Sequence, residues 1–358
     1  MSCPPLDRHD PARGPSVPTR VHAPERPQRR PAINECGGEY SEQVAAVFRH
    51  SGWAESRRRV TQALKATGQT VARIQAFDGC GFGAFLCRKI DEPDRYRVMG
   101  SACRDRFCLP CQRDRSRIVG QNVVQFLKHT PVRFLTLTLK HSNDPLADQL
   151  HRLYVCLRTL RRRPVWTANV VGGAAFLEVT LEDDGRWHPH YHVLLQGKYM
   201  PKAEIRRAWH DITGDSYVID IRMAGGDRDV VRYVSKYASK PFSGEISRRF
   251  DKLCELVRAM KGRRTIVAFG HWRRLTATSE ETCHGWDYVC TLTELVERAR
   301  TQAGEWLDIL RTVRPEGYEA LLAILPDQPS RAPPLPEHQP DDQRQQTMFT
   351  EFQVSPRF

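Results

Sequence analysis

The sequence predicts an α+β fold: an antiparallel sheet with helices on one face, ferredoxin-like or RRM-like, between an N-terminal cysteine-rich module and a helical C-terminal extension. Three observations carry this prediction. "VRFLTLTLK" (Val132 to Lys140) alternates, with Leu135, Leu137 and Leu139 on one face and Thr136, Thr138 and Lys140 on the other. "GAAFLEVTLEDDGRWHPHYHVLLQG" is two strands around Asp183-Asp184-Gly185, a strong turn signal. Helical periodicity separates these strands from their neighbours in the order β-α-β-β-α-β, with one more helix behind.

Residues 1–35 are rich in Pro and Arg with almost nothing to bury, and read as a disordered basic arm. Residues 36–130 read as a helical and cysteine-rich module. "EQVAAVFRH" and "RRVTQALKATG" carry apolar residues at helical spacing, and an amphipathic helix over about 113–129 follows the cysteines. Within 131–275 the first strand is followed by a helix from about Leu146 to Arg163 and then by the hairpin. A helix from about Pro201 to Asp211, a strand from about Tyr217 to Met223 and a helix from about Arg228 to Ser239 complete the unit. Residues 276–325 read as a helical extension. Residues 326–358 read as a disordered tail that begins with the Pro-rich linker "PDQPSRAPPLPEHQPDDQR".

With 55 Lys and Arg against 42 Asp and Glu, the chain of 358 residues carries a formal charge of +13. Arginine clusters recur at Arg57 to Arg59, Arg161 to Arg163 and Arg263-Arg264. Such a surface points to a polyanionic partner, above all nucleic acid. No run approaches the ~20 apolar residues of a membrane span. The Pro- and Arg-rich start has no apolar core like that of a signal peptide, so a cytoplasmic protein is expected. In that compartment the eleven cysteines read as reduced thiols or metal ligands rather than disulfides.

The hairpin register follows from the burial of one face. Leu177, Val179 and Leu181 need the same face as Tyr191, Val193 and Leu195, because only one face can meet the helices. A loop at 183–185, with Gly185 supplying a positive φ, then pairs Glu178 with His190 and Thr180 with His188 on the open face. Two imidazoles and a carboxylate suit a divalent ion such as Mn²⁺ or Mg²⁺, with positions left for substrate oxygens. Downstream, in "DVVRYVSKYASKP", helical spacing puts Tyr233, Lys236, Tyr237 and Lys240 on one face. A phenolic oxygen is a competent nucleophile toward a phosphodiester when a metal polarises the phosphate and a cation stabilises the developing charge. Cys103, Cys108 and Cys111 have C-x4-C-x2-C spacing, which can close around tetrahedral Zn²⁺ with Cys80, or alternatively Cys87, as fourth ligand.

"HPHYHVLL" resembles the HUH motif, two histidines around a bulky residue. "FLTLTL" resembles the strand motif that precedes it, and "RYVSKYASK" the tyrosine motif that follows. In this order, over roughly residues 80–270, the three are similar to rolling-circle replication initiators of plasmids and single-stranded DNA phages. The resemblance implies an HUH endonuclease that nicks one strand of origin DNA and remains attached through a 5′-phosphotyrosine. It implies His190 and His192 as paired metal ligands, Glu178 as the third, Tyr237 as primary nucleophile and Lys236 as the basic residue beside it. Some plasmid members carry Glu where this chain has Tyr233. Its tyrosine is similar to the two-tyrosine phage type, which leaves open whether Tyr233 is a second nucleophile. His188 lies outside the core motif.

Similar initiators also carry "CxxRxCPxC", from which "CRDRFCLPC" departs in the place of its proline. "QQTMF", with Gln345, Met348 and Phe349, resembles the peptide by which replication proteins dock on a sliding clamp. Host replication proteins such as the clamp and a helicase are therefore expected partners, alongside single-stranded origin DNA. A two-tyrosine single-strand transposase would share every catalytic residue named. A zinc-containing DNA-binding regulator would keep the basic surface and lack cleavage.

Overall fold

The structure is a computed structural model that describes residues 38–127, 131–238, 245–275, 285–302 and 304–324. The chain begins with α1 (Gly38–His50), α2 (Ala54–Ala66) and α3 (Val71–Asp78), then a hairpin of β1 (Phe85–Lys89) and β2 (Tyr96–Met99). It continues through α4 (Leu109–Val124), β3 (Val132–Thr138), α5 (Leu146–Leu160) and the single turn α6 (Pro164–Thr167). The long hairpin of β4 (Val170–Leu181) and β5 (Trp187–Gly197) follows, then α7 (Lys202–Thr213), β6 (Ile219–Met223) and α8 (Asp227–Ala238). Last come α9 (Phe250–Ala259), β7 (Ile266–Gly270), β8 (Trp286–Thr291), α10 (Leu292–Thr301), α11 (Glu305–Val313) and α12 (Tyr318–Leu322).

The main sheet is antiparallel with strand order β6-β3-β5-β4-β7. Its register places Glu178 opposite His190 and Thr180 opposite His188, as the alternation predicts. β3 adds Thr136 opposite His192 and Thr138 opposite His190. Gly185, at φ +80°, makes the turn that fixes this register. One face of the sheet (Leu135, Leu137, Leu177, Val179, Tyr191, Val193) is buried against Leu150 and Leu153 of α5, Trp209 of α7 and Leu253 of α9. A one-residue slip would turn all six into the opposite face. At about 1.5–3 kcal/mol for each fully buried large apolar side chain, the register is strongly specified.

The opposite face is not open along its whole length, contrary to the expectation of helices on one face. Phe134, Ala174, Phe176 and Leu194 form its apolar half, and α4 and α8 cover them with Val119, Val123, Val230 and Val234, closed at the side by Trp272. The physical reason is that this face is mixed. Apolar groups at one end of the strands need a cover, while Thr136, Thr138, Glu178 and His190 at the other end do not. The helix bearing the two tyrosines is therefore fixed against the sheet beside the polar half.

The segment after 275 is not purely helical, because it contains β8, which pairs with β1 to make a second sheet of order β2-β1-β8. Thr291 ends β8 and caps α10: its hydroxyl accepts from the Glu294 N–H while the Glu294 carboxylate accepts from the Thr291 N–H. Leu292, Leu295 and Val296 then share a core with Val44 of α1 and Leu86 of β1. The N-terminal module is thus completed by chain some 200 residues downstream, and its last helix, α4, packs on the main sheet. No helix among the described residues is long and apolar enough to cross a membrane. The basic arm, Lys240 and the clamp-type peptide with Gln345, Met348 and Phe349 lie outside the described residues.

Candidate active site

Strand alternation brings the paired histidines to one face, and the hairpin register brings Glu178 against them. Glu178 Oε2 stands 2.9 Å from His192 Nε2 and 3.1 Å from His190 Nε2, and the two Nε2 atoms are 3.1 Å apart. Ligands in cis positions at about 2.1 Å from an octahedral ion stand about 3.0 Å from one another. The triad has this spacing, with one anionic oxygen and two imidazole nitrogens, so the residues fit a divalent ion. His190 Nδ1 donates to the His188 carbonyl at 3.1 Å, which turns Nε2 toward Glu178, where a metal would take the place of its proton.

Electrostatics agree with that reading. Burial alone would raise the Glu178 pKa, but hydrogen bonds from His190 and His192 outweigh it and bring it down to about 2. Burial pushes the His192 pKa below its ordinary value, against the pull of Glu178. Near neutral pH, Glu178 is therefore ionised and His192 neutral, the forms a metal requires.

The two tyrosines, one turn apart on α8, reach this triad differently. The Tyr237 ring stacks on the His192 ring, centroids 3.4 Å apart at 22°, and remains partly exposed. Lys236 Nζ stands 4.9 Å from the Tyr237 ring centroid, and its side chain is exposed. Tyr233 is 8% exposed, stacks on Phe134 at 4.0 Å and places its hydroxyl 3.2 Å from His192 Nδ1. Burial, then the nearby Tyr237, pushes the Tyr233 pKa upward, so its phenolate is disfavoured.

The cysteines assemble at the junction of α3 and α4. Cys80 follows α3, Cys103 lies in the intervening loop, and Cys108 and Cys111 sit at the cap and first turn of α4. Cys80 Sγ is 3.7 Å from Cys108 Sγ and 3.6 Å from Cys111 Sγ, and Cys103 Sγ is 3.7 Å from Cys111 Sγ. Thiolates at about 2.3 Å from a tetrahedral ion stand about 3.8 Å apart, so the four fit one site. Cys87 is not among them. It lies on β1 opposite Arg97 and Tyr288, which leaves Cys80 as the fourth member. The Asp105 N–H donates to Cys103 Sγ at 3.4 Å, and the Arg49 guanidinium stands 3.8 Å from Cys111 Sγ; both favour thiolate charge.

His188 is not one of the three groups that converge in the triad. It joins Glu182 and His141, two residues that the sequence reading passed over. Glu182 had a legible signal, since just past the end of β4 it continues the alternation of 178 and 180. His141 had none, because it follows the end of β3 in a loop.

A family model described as "Replication protein" matches residues 96–314, more than half of the chain. The match includes Glu178, the three histidines and both tyrosines. No curated protein and no solved structure matches.

Proposed function

Because the chain belongs to the Replication protein family, we propose that it is a metal-dependent endonuclease that nicks single-stranded origin DNA through a phosphotyrosine and so initiates rolling-circle replication. The observation that carries this reading is the convergence of Glu178 Oε2 with both Nε2 atoms, with the Tyr237 ring stacked on His192. Glu178, His190 and His192 would hold a divalent ion, which would supply Lewis-acid polarisation of the scissile phosphate. Tyr237 Oη attacks phosphorus, forming the O–P bond as the P–O3′ bond breaks. The phenolic proton leaves and the departing O3′ takes one up. The products are a free 3′-hydroxyl and a 5′-phosphotyrosine, and the reverse attack by a 3′-hydroxyl rejoins strands.

Lys236, exposed next to Tyr237, contributes positive charge where the phosphate acquires negative charge. Tyr233 acts by holding the His192 ring through Nδ1, because its hydroxyl is engaged and its ring is locked on Phe134. The formal charge of +13 supplies phosphate contacts along the strand. Family membership favours replication over the transposase reading, which shares the same residues. Incubation with Mn²⁺ and end-labelled single-stranded origin DNA is expected to give a covalent protein–DNA adduct. Binding without any adduct would instead support the non-catalytic regulator.

The cysteine cluster is read as structural zinc, as its spacing and four-sulfur donor set favour. Cys108→Ser is expected to empty that site and lower the Tm by on the order of 10 °C, because metal binding and folding are coupled there. Elemental analysis and a melting curve check this. Wild-type protein purified without zinc would refute it.

A further inference from the structure

The third histidine of the run belongs to a second constellation. His188 Nδ1 stands 2.6 Å from Glu182 Oε1, and His141 Nε2 stands 3.6 Å from the same oxygen. The His141 and His188 rings are 4.6 Å apart. Their chain origins are separate: the loop after β3, the end of β4 and the start of β5. The pattern repeats that of the triad, where one oxygen of Glu178 is shared by two imidazoles. It lies next to it, with the His188 ring 5.0 Å from the His190 ring.

An ordinary cross-hairpin ion pair would account for His188 and Glu182 alone. It gives no reason for a second imidazole, brought by a different segment, to close on the same carboxylate oxygen. The ligand-atom spacings of 2.6 and 3.6 Å bracket the roughly 3.0 Å expected of cis ligands around one ion. The side chains of His141, Glu182 and His188 are 36%, 34% and 23% exposed, so water or a substrate oxygen can complete the coordination.

We infer that His141, Glu182 and His188 form a second divalent-cation site beside the Glu178–His190–His192 triad. Two imidazoles with one carboxylate select borderline ions such as Mn²⁺, Co²⁺, Ni²⁺ or Zn²⁺ over Ca²⁺, which favours an all-oxygen shell. The site is defined by its own three residues and does not depend on the nicking mechanism.

The test is a Mn²⁺ titration of the full chain with its cysteine cluster kept in zinc, free Mn²⁺ being read by electron paramagnetic resonance. Wild-type protein is expected to bind two equivalents. His141→Ala/His188→Ala is expected to bind one, and His190→Ala/His192→Ala the other one. Glu182→Gln, which keeps the shape of the side chain, is expected to weaken one class of site by roughly 10-fold or more. Circular dichroism verifies that each variant is folded. Full wild-type stoichiometry in His141→Ala/His188→Ala, or a single wild-type equivalent lost only with His190 and His192, overturns the second site. Failure of the first site reads differently: His190→Ala/His192→Ala would then bind as much Mn²⁺ as the wild type.

Discussion

Tyr237→Phe is expected to lose the covalent adduct and to slow origin nicking by roughly 10³-fold or more, since it removes the attacking oxygen and little else. The stacked ring is retained, so the His192 environment and DNA binding should change little. Tyr233→Phe removes a hydroxyl that faces His192 Nδ1 instead of open space. It should still nick, with the rate or metal affinity reduced by roughly 10- to 100-fold, and its adduct should still map to Tyr237. The two variants thus separate attack from positioning. Mass spectrometry of the DNA-linked peptide decides between them. An adduct on Tyr233, or a Tyr237→Phe variant that nicks at the wild-type rate, would overturn the assignment.

The parts of this site that could be read from the sequence are those fixed by local geometry. Strand alternation, the Asp183-Asp184-Gly185 turn and the need to bury Leu177, Val179, Tyr191 and Val193 together determine that Glu178 faces His190. Helical spacing likewise places Tyr233 and Tyr237 on one face. Their different surroundings could not be read, because they depend on which ring finds Phe134 and which stays at the surface. The pairing of β1 with β8 was invisible for another reason: its partners are some 200 residues apart, and no local pattern encodes such a contact. Cysteine spacing named Cys80 with Cys87 as the alternative, and the fold put the first beside Cys108 and the second on a strand. The cover over the apolar half of the second face was written in Phe134, Phe176 and Leu194, yet it is masked by the polar residues alternating along the same strands.

His190→Ala/His192→Ala is expected to abolish nicking while leaving single-strand DNA binding within a few-fold of wild type. Affinity rests on phosphate contacts by Arg and Lys, which are spread over a chain of formal charge +13 and are separate from the triad. Binding should accordingly fall with added salt in both proteins with the same slope, whereas nicking by the wild type should stop when Mn²⁺ is withheld. The pH dependence has a definite sign. Glu178 stays ionised down to a pH of about 2, so it does not set the acid limit of metal binding. His192, with its pKa held below the ordinary imidazole value by burial, is neutral at pH 7 and loses its ligating lone pair only as the pH falls. Mn²⁺-dependent nicking should therefore be level above about pH 7 and decline only once the pH falls below the ordinary imidazole value of about 6.5. Undiminished cleavage by the double variant in chelator-treated buffer would remove the metal from the mechanism.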